Sequence, residues 1–112
     1  MVGFYSRTVL FSDNRAVAYL GGELDAYNIT CLTARLAPIA VTGRDIIVDL
    51  AALSFLGTAG LMALADLQHH ATASGGSLRL TEPPRLLRSL FDLAGMKDTF
   101  AIVAPAQTPD AL

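Results

Sequence analysis

The feature that most constrains the fold is a short β-branched run that leads, through a glycine-bounded turn, into a long helical pattern. Residues 46–50 read IIVDL, which is typical of a strand buried on both faces of a sheet. Residues 55–61 read FLGTAGL, and apolar residues then recur at helical spacing to about Ser74. A strand that leads directly into a helix predicts a parallel α/β unit, with free backbone N–H groups at the helix N-terminus.

The rest of the chain alternates between strand and helix patterns. Four further segments have strand character, residues 8–11, 16–20, 78–80 and 100–103. Asp25 is the predicted N-cap of a first helix that runs to about Leu36, and Pro38 kinks or ends this helix. A third helix begins with Pro84 at its first position. We therefore expect an α/β fold with a mixed sheet of about five strands, an N-terminal hairpin followed by βαβαβ, and helices packed on it.

Apolar faces predict how two of the helices pack. The second helix has an apolar arc made of Gly60, Leu61, Leu64, Ala65, Leu67 and Ala71. The third helix has one wide apolar face made of Leu86, Leu87, Leu90, Phe91, Leu93 and Ala94. Met62 lies on the outward side of the second helix. Tyr27 falls on the face of the first helix that is opposite its apolar residues, Ile29, Leu32 and Leu36.

Composition excludes several classes of function. The chain has 112 residues, of which 53% are hydrophobic and 16% charged, as expected for one well-buried domain. The net charge is −2 and no basic cluster is present, which argues against a nucleic-acid partner. No apolar run approaches the roughly 20 residues of a membrane span, and the N-terminus lacks signal-peptide features. Cys31 is the single cysteine, so no internal disulfide can form. We expect a soluble cytoplasmic domain.

The turn at residues 57–60 is the predicted site of chemistry, because a helix N-terminus favours anions and acidic groups. Thr58 precedes a helix that we predict to begin at Ala59, so its hydroxyl can accept a hydrogen bond from the N–H of Gly60 or Leu61 as an N-cap. The same hydroxyl is a candidate phosphoacceptor, since a phosphate would add about −1.5 to −2 charge at the positive end of the helix dipole. The two roles are compatible.

Other candidate sites have weaker patterns. Asp49, at the end of the predicted central strand, occupies the place of a phosphorelay receiver's acceptor. The chain lacks the acidic pair that a receiver needs, however, and its only lysine is Lys97. His69 and His70 point about 100° apart on a helix. Asp66 and His70 supply only two ligands, and we interpret them as an i,i+4 pair. We predict no metal, no cofactor and no catalysis.

The order and spacing of these motifs resemble the STAS domain, a family named for sulphate transporters and anti-sigma-factor antagonists. The resemblance covers about residues 8–102 and is carried by residues 22–25 (GELD), 47–50 (IVDL), 55–61 (FLGTAGL) and 74–80 (SGGSLRL), with Leu93, Gly95 and Phe100. We expect a single domain over residues 1–112, with a core of about residues 8–103 and a loose tail at residues 104–112. With no transmembrane part in these residues, we expect the stand-alone bacterial antagonists to be the more similar branch.

In that branch the antagonist binds an anti-sigma factor, which is also a GHKL-type serine kinase, and so releases a sigma factor. The kinase phosphorylates the Ser or Thr before the glycine of an Asp-Ser-Ser/Thr-Gly-Leu motif, which abolishes binding, and a phosphatase restores it. Residue by residue, the motif's aspartate falls on Gly57, its first serine on Thr58, its acceptor on Ala59 and its glycine on Gly60. Ala59 has no hydroxyl. We therefore predict an antagonist that is not switched at the usual site, the alternative being that Thr58 replaces the acceptor.

The resemblance also implies a partner-binding surface around the motif and the start of the first helix. On this chain the surface maps to Asp25, Gly57, Thr58, Ala59 and Gly60, and the outward-pointing Tyr27 and Met62 add two candidate anchors. The rival hypothesis is a STAS-like accessory subunit of a membrane transporter that docks on the ATPase subunit, for which Ala59 is equally suitable. Neither hypothesis fixes the oligomeric state.

Overall fold

A computed structural model describes residues 3–96 and 98–103 as one mixed α/β unit. The strands are β1 (Phe4–Leu10), β2 (Arg15–Leu24), β3 (Asp45–Leu56), β4 (Ser77–Thr81) and β5 (Ile102–Val103). The helices are α1 (Ile29–Ala40), α2 (Thr58–Ala73) and α3 (Arg85–Leu93). The predicted fold class is confirmed. The predicted loose tail, residues 104–112, and Lys97 lie outside the described residues.

The strands form a single sheet in the order β1-β2-β3-β4-β5. β1 and β2 form the predicted antiparallel hairpin, and every later neighbour pairs in parallel. Parallel pairing requires a crossover between consecutive strands, and α1, α2 and α3 supply these crossovers. The loops that enter α1 and α2 therefore leave the same edge of the sheet, where β2 and β3 end.

The main core lies between the sheet and its helices. Its fully buried side chains include Leu20 and Leu24 from β2, Val48 and Leu50 from β3, and Leu32 and Leu64 from α1 and α2. A smaller cluster on another face of the sheet joins Val17, Ile47 and Val103, against which Phe11 and Tyr19 pack. Up to Leu20 in β2 and Leu50 in β3, even-numbered residues enter the main core and odd-numbered ones face the smaller cluster, as side chains that alternate along a strand do. Beyond the register shifts this alternation changes, and Leu53 enters the main core.

The central strand is longer than its apolar run predicts. β3 continues to Leu56, so Asp49 lies inside the strand rather than at its end, and its Oδ1 accepts a hydrogen bond from the Ala51 N–H at 2.9 Å. The predicted terminal position of Asp49 is wrong. β2 likewise continues through Gly21 and Gly22, where the pairing register with β3 shifts. Gly21 and Gly22 therefore lie inside a strand, at the place where its pairing is irregular.

Two helices also differ from prediction. α1 continues through Pro38 to Ala40, so the proline lies in the last turn and does not end the helix. In α3 only Leu87 and Phe91 are buried, whereas Leu86 and Leu93 are 87% and 83% exposed. The prediction of one wide apolar face is therefore wrong at Leu86 and Leu93, because the helix packs on the sheet through a narrower stripe of side chains.

Gly76 marks a close crossing between the turn that precedes β3 and the turn that precedes β4. A Cβ on Gly76 would overlap the backbone carbonyl of Arg44, whose oxygen accepts the Ser77 N–H at 3.2 Å. We expect Gly76→Ala to lower the free energy of unfolding by about 3 kcal/mol, measured by urea denaturation, because two backbone segments must separate.

Gly75→Ala is the matched control for this prediction. Gly75 has φ +90°, and a Cβ added to it would meet no heavy atom within 4 Å, so only left-handed backbone strain of about 1 kcal/mol is expected. An equal loss of unfolding free energy in Gly76→Ala and Gly75→Ala would contradict the close crossing.

Candidate functional site

Two loops meet at the edge of the sheet where β2 and β3 end. The strands stay paired to their last residues, Leu24 beside Leu56. The Gly57 N–H then donates a hydrogen bond to the Leu24 carbonyl at 3.0 Å, which joins the start of one loop to the start of the other. This edge of an open α/β sheet is where ligands usually bind.

The loop before α1 is fixed by its own side chains. The Asp25 carboxylate accepts hydrogen bonds from the Tyr27 N–H at 2.9 Å and the Asn28 N–H at 3.2 Å. In return, the Asn28 side chain accepts the Asp25 N–H at 2.9 Å and donates to the Glu23 carbonyl at 2.7 Å. Asp25 therefore shapes a turn ahead of the helix. The prediction that it is the N-cap of α1 is wrong, because Asn28 occupies that position.

The turn before α2 also differs from prediction in one detail. α2 begins at Thr58 rather than Ala59, and the N-cap is Gly57, with extended backbone at φ −80° and ψ 172°. Thr58 is exposed, and its hydroxyl makes no capping hydrogen bond. The predicted N-cap role of Thr58 is wrong, because the capping position, from which a side chain reaches the free N–H groups, falls on Gly57.

Gly60 brings the first turn of α2 close to the strand ends. A Cβ at this position would lie 2.7 Å from Leu56 Cδ1 and 3.1 Å from Leu24 Cδ2, closer than normal contact. Leu24 and Leu56 are fully buried core residues. The glycine is therefore needed for packing, and it sets the height at which Thr58 and Ala59 stand above the sheet.

Three large apolar side chains are exposed around this edge. Tyr27 is 95% exposed in the loop before α1, and Met62 is 60% exposed on the first turns of α2, as predicted for both. Phe55, near the end of β3, is 45% exposed, and a Cβ on Gly57 would lie 3.3 Å from its ring. Sequence reasoning missed Phe55. Its place two residues before Gly57, near the end of a strand, was the available signal.

A groove of about 690 Å³ runs between α1 and α2 and continues from the turn. Small and apolar side chains form most of its wall, and Ala59 and Met62 line it on the α2 side. Asp66 and His70 line it further along α2. The predicted i,i+4 ion pair between these two residues is not formed. The turn itself, residues 57–60, carries no charged side chain. We call the turn, Asp25, Tyr27 and Met62 the docking edge.

Metal-binding groups and membrane-spanning helices are both absent from the part of the chain that the structure describes. Among residues 3–96 and 98–103, no three His, Cys, Asp or Glu side chains are grouped so as to hold a metal ion. Within the same residues, no helix is long and apolar enough to cross a membrane. Cys31 is exposed on α1, away from the buried Leu32 and Leu36.

Comparison with known proteins agrees with this architecture. Residues 8–108 match the family model of the STAS domain. The anti-sigma-B factor antagonist of Bacillus subtilis (strain 168) is 30% identical over 96 residues, which cover 86% of this chain and 88% of the relative.

Two solved structures extend the comparison to the fold. The anti-sigma factor antagonist SpoIIAA in its unphosphorylated form has a TM-score of 0.74 at 20% identity, covering 92% of this chain and 91% of its own. An anti-sigma factor antagonist from Mycobacterium paratuberculosis has a TM-score of 0.78 at 22% identity, covering 92% and 86%. With the family match across most of its length, the chain belongs to the STAS domain family.

Proposed function

We propose that this protein is an anti-sigma-factor antagonist that binds an anti-sigma factor through the docking edge and thereby releases a sigma factor. The observation that carries the proposal is the neutral turn at residues 57–60, held at the sheet edge and surrounded by exposed apolar side chains. The Bacillus relative is an anti-sigma-B factor antagonist, which supports the same role.

The properties of the docking edge suit a protein partner. Its backbone is fixed by hydrogen bonds and by the close packing of Gly60, so little ordering is needed on binding. Tyr27 and Met62 project from it, and exposed aromatic and methionine side chains are common anchors of interfaces. The groove beyond Ala59 offers further apolar surface for the partner.

In this proposal the complex is not switched by phosphorylation at Ala59. The side chain of alanine has no hydroxyl to accept a phosphate. Ala59 stands at the position that the family motif gives to the acceptor. Thr58 retains an exposed hydroxyl. It stands one residue earlier on the helix, about 100° around the axis from Ala59, so a kinase that recognises the acceptor position would find Thr58 misdirected.

The experiment that tests the function is capture followed by reconstitution. The tagged chain is used to isolate partners from its native cell, and the recovered anti-sigma factor is purified with its sigma factor. Adding the chain to the preformed sigma–anti-sigma complex should release free sigma factor, measured by size-exclusion chromatography and by restored transcription.

Substitutions at the exposed anchors test the surface. Tyr27→Ala and Met62→Lys should each weaken capture at least about tenfold, because a contact near the centre of an interface is lost or a charge is buried there. Leu10→Ala on β1, away from the docking edge, is the control and should bind normally. Recovery of a transporter ATPase subunit in place of an anti-sigma factor would contradict the proposal.

A further inference from the structure

Helix α3 carries two leucines whose exposure its packing on the sheet does not explain. Leu86 is 87% and Leu93 is 83% exposed, and they lie seven residues apart on the same face of the helix. Leu87 and Phe91 face the opposite way and are buried, with the Phe91 ring edge-to-face against Phe100 at 6.0 Å. The outward leucines therefore form a short apolar seam that nothing in the described chain covers.

The side chains along this seam have a self-complementary arrangement. Ser89, a small residue, lies between the two leucines, so another helix can approach closely at the middle of α3. Arg85 and Asp92 flank the same face, one near each end. Neither has an ion-pair partner among the described residues, whereas the neighbouring Arg88 pairs with Glu82. Within that part of the chain, the seam thus has a free cation at its N-terminal end and a free anion at its C-terminal end.

We propose that α3 pairs with α3 of a second copy of this chain, antiparallel about a twofold axis near Ser89. In this arrangement Leu86 of each copy packs beside Leu93 of the other, and Arg85 of each copy faces Asp92 of the other. A twofold axis forms every contact twice, which is how a short seam becomes a closed dimer. A different partner would have to place an acidic group opposite Arg85 and a basic group opposite Asp92.

The expected dimer is weak. A seam built from a nine-residue helix buries less than the roughly 1,200 Å² of a stable specific interface, so association should depend on concentration. None of the residues of the docking edge belongs to α3, and the self-association therefore does not depend on the proposed function.

Sedimentation equilibrium across a wide concentration range tests the seam. The unaltered protein should show a reversible monomer–dimer equilibrium. Leu86→Glu and Leu93→Glu should each leave only monomer, because a carboxylate would have to be buried in the seam. Leu10→Glu is the matched control, since Leu10 is a 55% exposed leucine on β1, and it should dimerise normally. Circular dichroism should show the same fold in all three variants.

Charge exchange tests the antiparallel register. Arg85→Asp and Asp92→Arg should each weaken the dimer about tenfold, because two attractive contacts become repulsive. The double variant Arg85→Asp/Asp92→Arg should recover the original affinity, which a partner other than a second copy would not allow. A monomeric protein at every concentration, or a double variant no stronger than the single ones, would overturn the proposal. The proposal would also be overturned if the unaltered protein formed no dimer and Leu86→Glu lost binding of the anti-sigma factor. That result would assign the seam to the anti-sigma factor.

Discussion

Replacing Ala59 with glutamate should abolish binding of the anti-sigma factor while leaving the domain folded. Ala59 lies in the first turn of α2, half-buried, on the wall of the groove. A carboxylate there would be desolvated by the partner without a compensating charge from this chain, and such a burial costs about 2–5 kcal/mol. We therefore expect affinity to fall at least about 100-fold, measured by isothermal titration calorimetry.

The same substitution separates a binding defect from a folding defect. A negative charge in the first turn of a helix interacts favourably with the helix dipole, and α2 has no acidic residue in its first turn. Ala59→Glu should therefore raise the free energy of unfolding slightly or leave it unchanged. Ala73→Glu, at the exposed last residue of the same helix, is the control and should bind normally. Full affinity in Ala59→Glu would remove the docking edge from the interface.

Replacing Ala59 with serine should create the phosphorylation switch that this chain lacks. One hydroxyl at a half-exposed position adds little volume, so we expect Ala59→Ser to bind the partner as the unaltered protein does. Incubation with a GHKL-type partner kinase and ATP should then add one phosphate and release the complex. The phosphate brings about −1.5 to −2 charge into the interface. Intact-mass spectrometry combined with a binding assay measures both steps.

Two controls define the site of phosphate transfer. The unaltered protein should remain unmodified under the same conditions, and Thr58→Ala/Ala59→Ser should still accept phosphate. Phosphate on Thr58 of the unaltered protein would contradict the proposed silent site and assign the acceptor role to the neighbouring residue. Failure of Ala59→Ser to accept phosphate would show that the partner does not act as a kinase on this position.

The sequence is sufficient to predict which strands and helices form and in what order, because these patterns depend on local periodicity, and the strand–helix alternation implies parallel pairing. The α3 face shows where periodicity fails. A helical wheel gives the relative directions of Leu86, Leu87 and Phe91, but the width of the stripe that the sheet covers depends on how the helix is placed. A Gly-Gly pair likewise predicts the end of a strand. Only the pairing with β3, with its register shifts, shows that β2 continues through Gly21 and Gly22.

The incorrect prediction that Asp25 is the N-cap of α1 has a different physical origin. An N-cap aspartate accepts hydrogen bonds from N–H groups two or three residues later, and Asp25 makes such bonds to Tyr27 and Asn28. The local pattern in the sequence is therefore the same for a cap and for a turn that precedes the helix. What decides between them is Asn28, whose side chain bonds back to Asp25 and Glu23 and so delays the helix.

The reciprocal hydrogen bonds between Asp25 and Asn28, and the link from Gly57 to Leu24, have a consequence for the kinetics of recognition. Both loops already hold one shape before any encounter, so association needs no slow rearrangement of this protein. Differences in affinity among related partners should then arise from how long each complex lasts, rather than from how fast it forms.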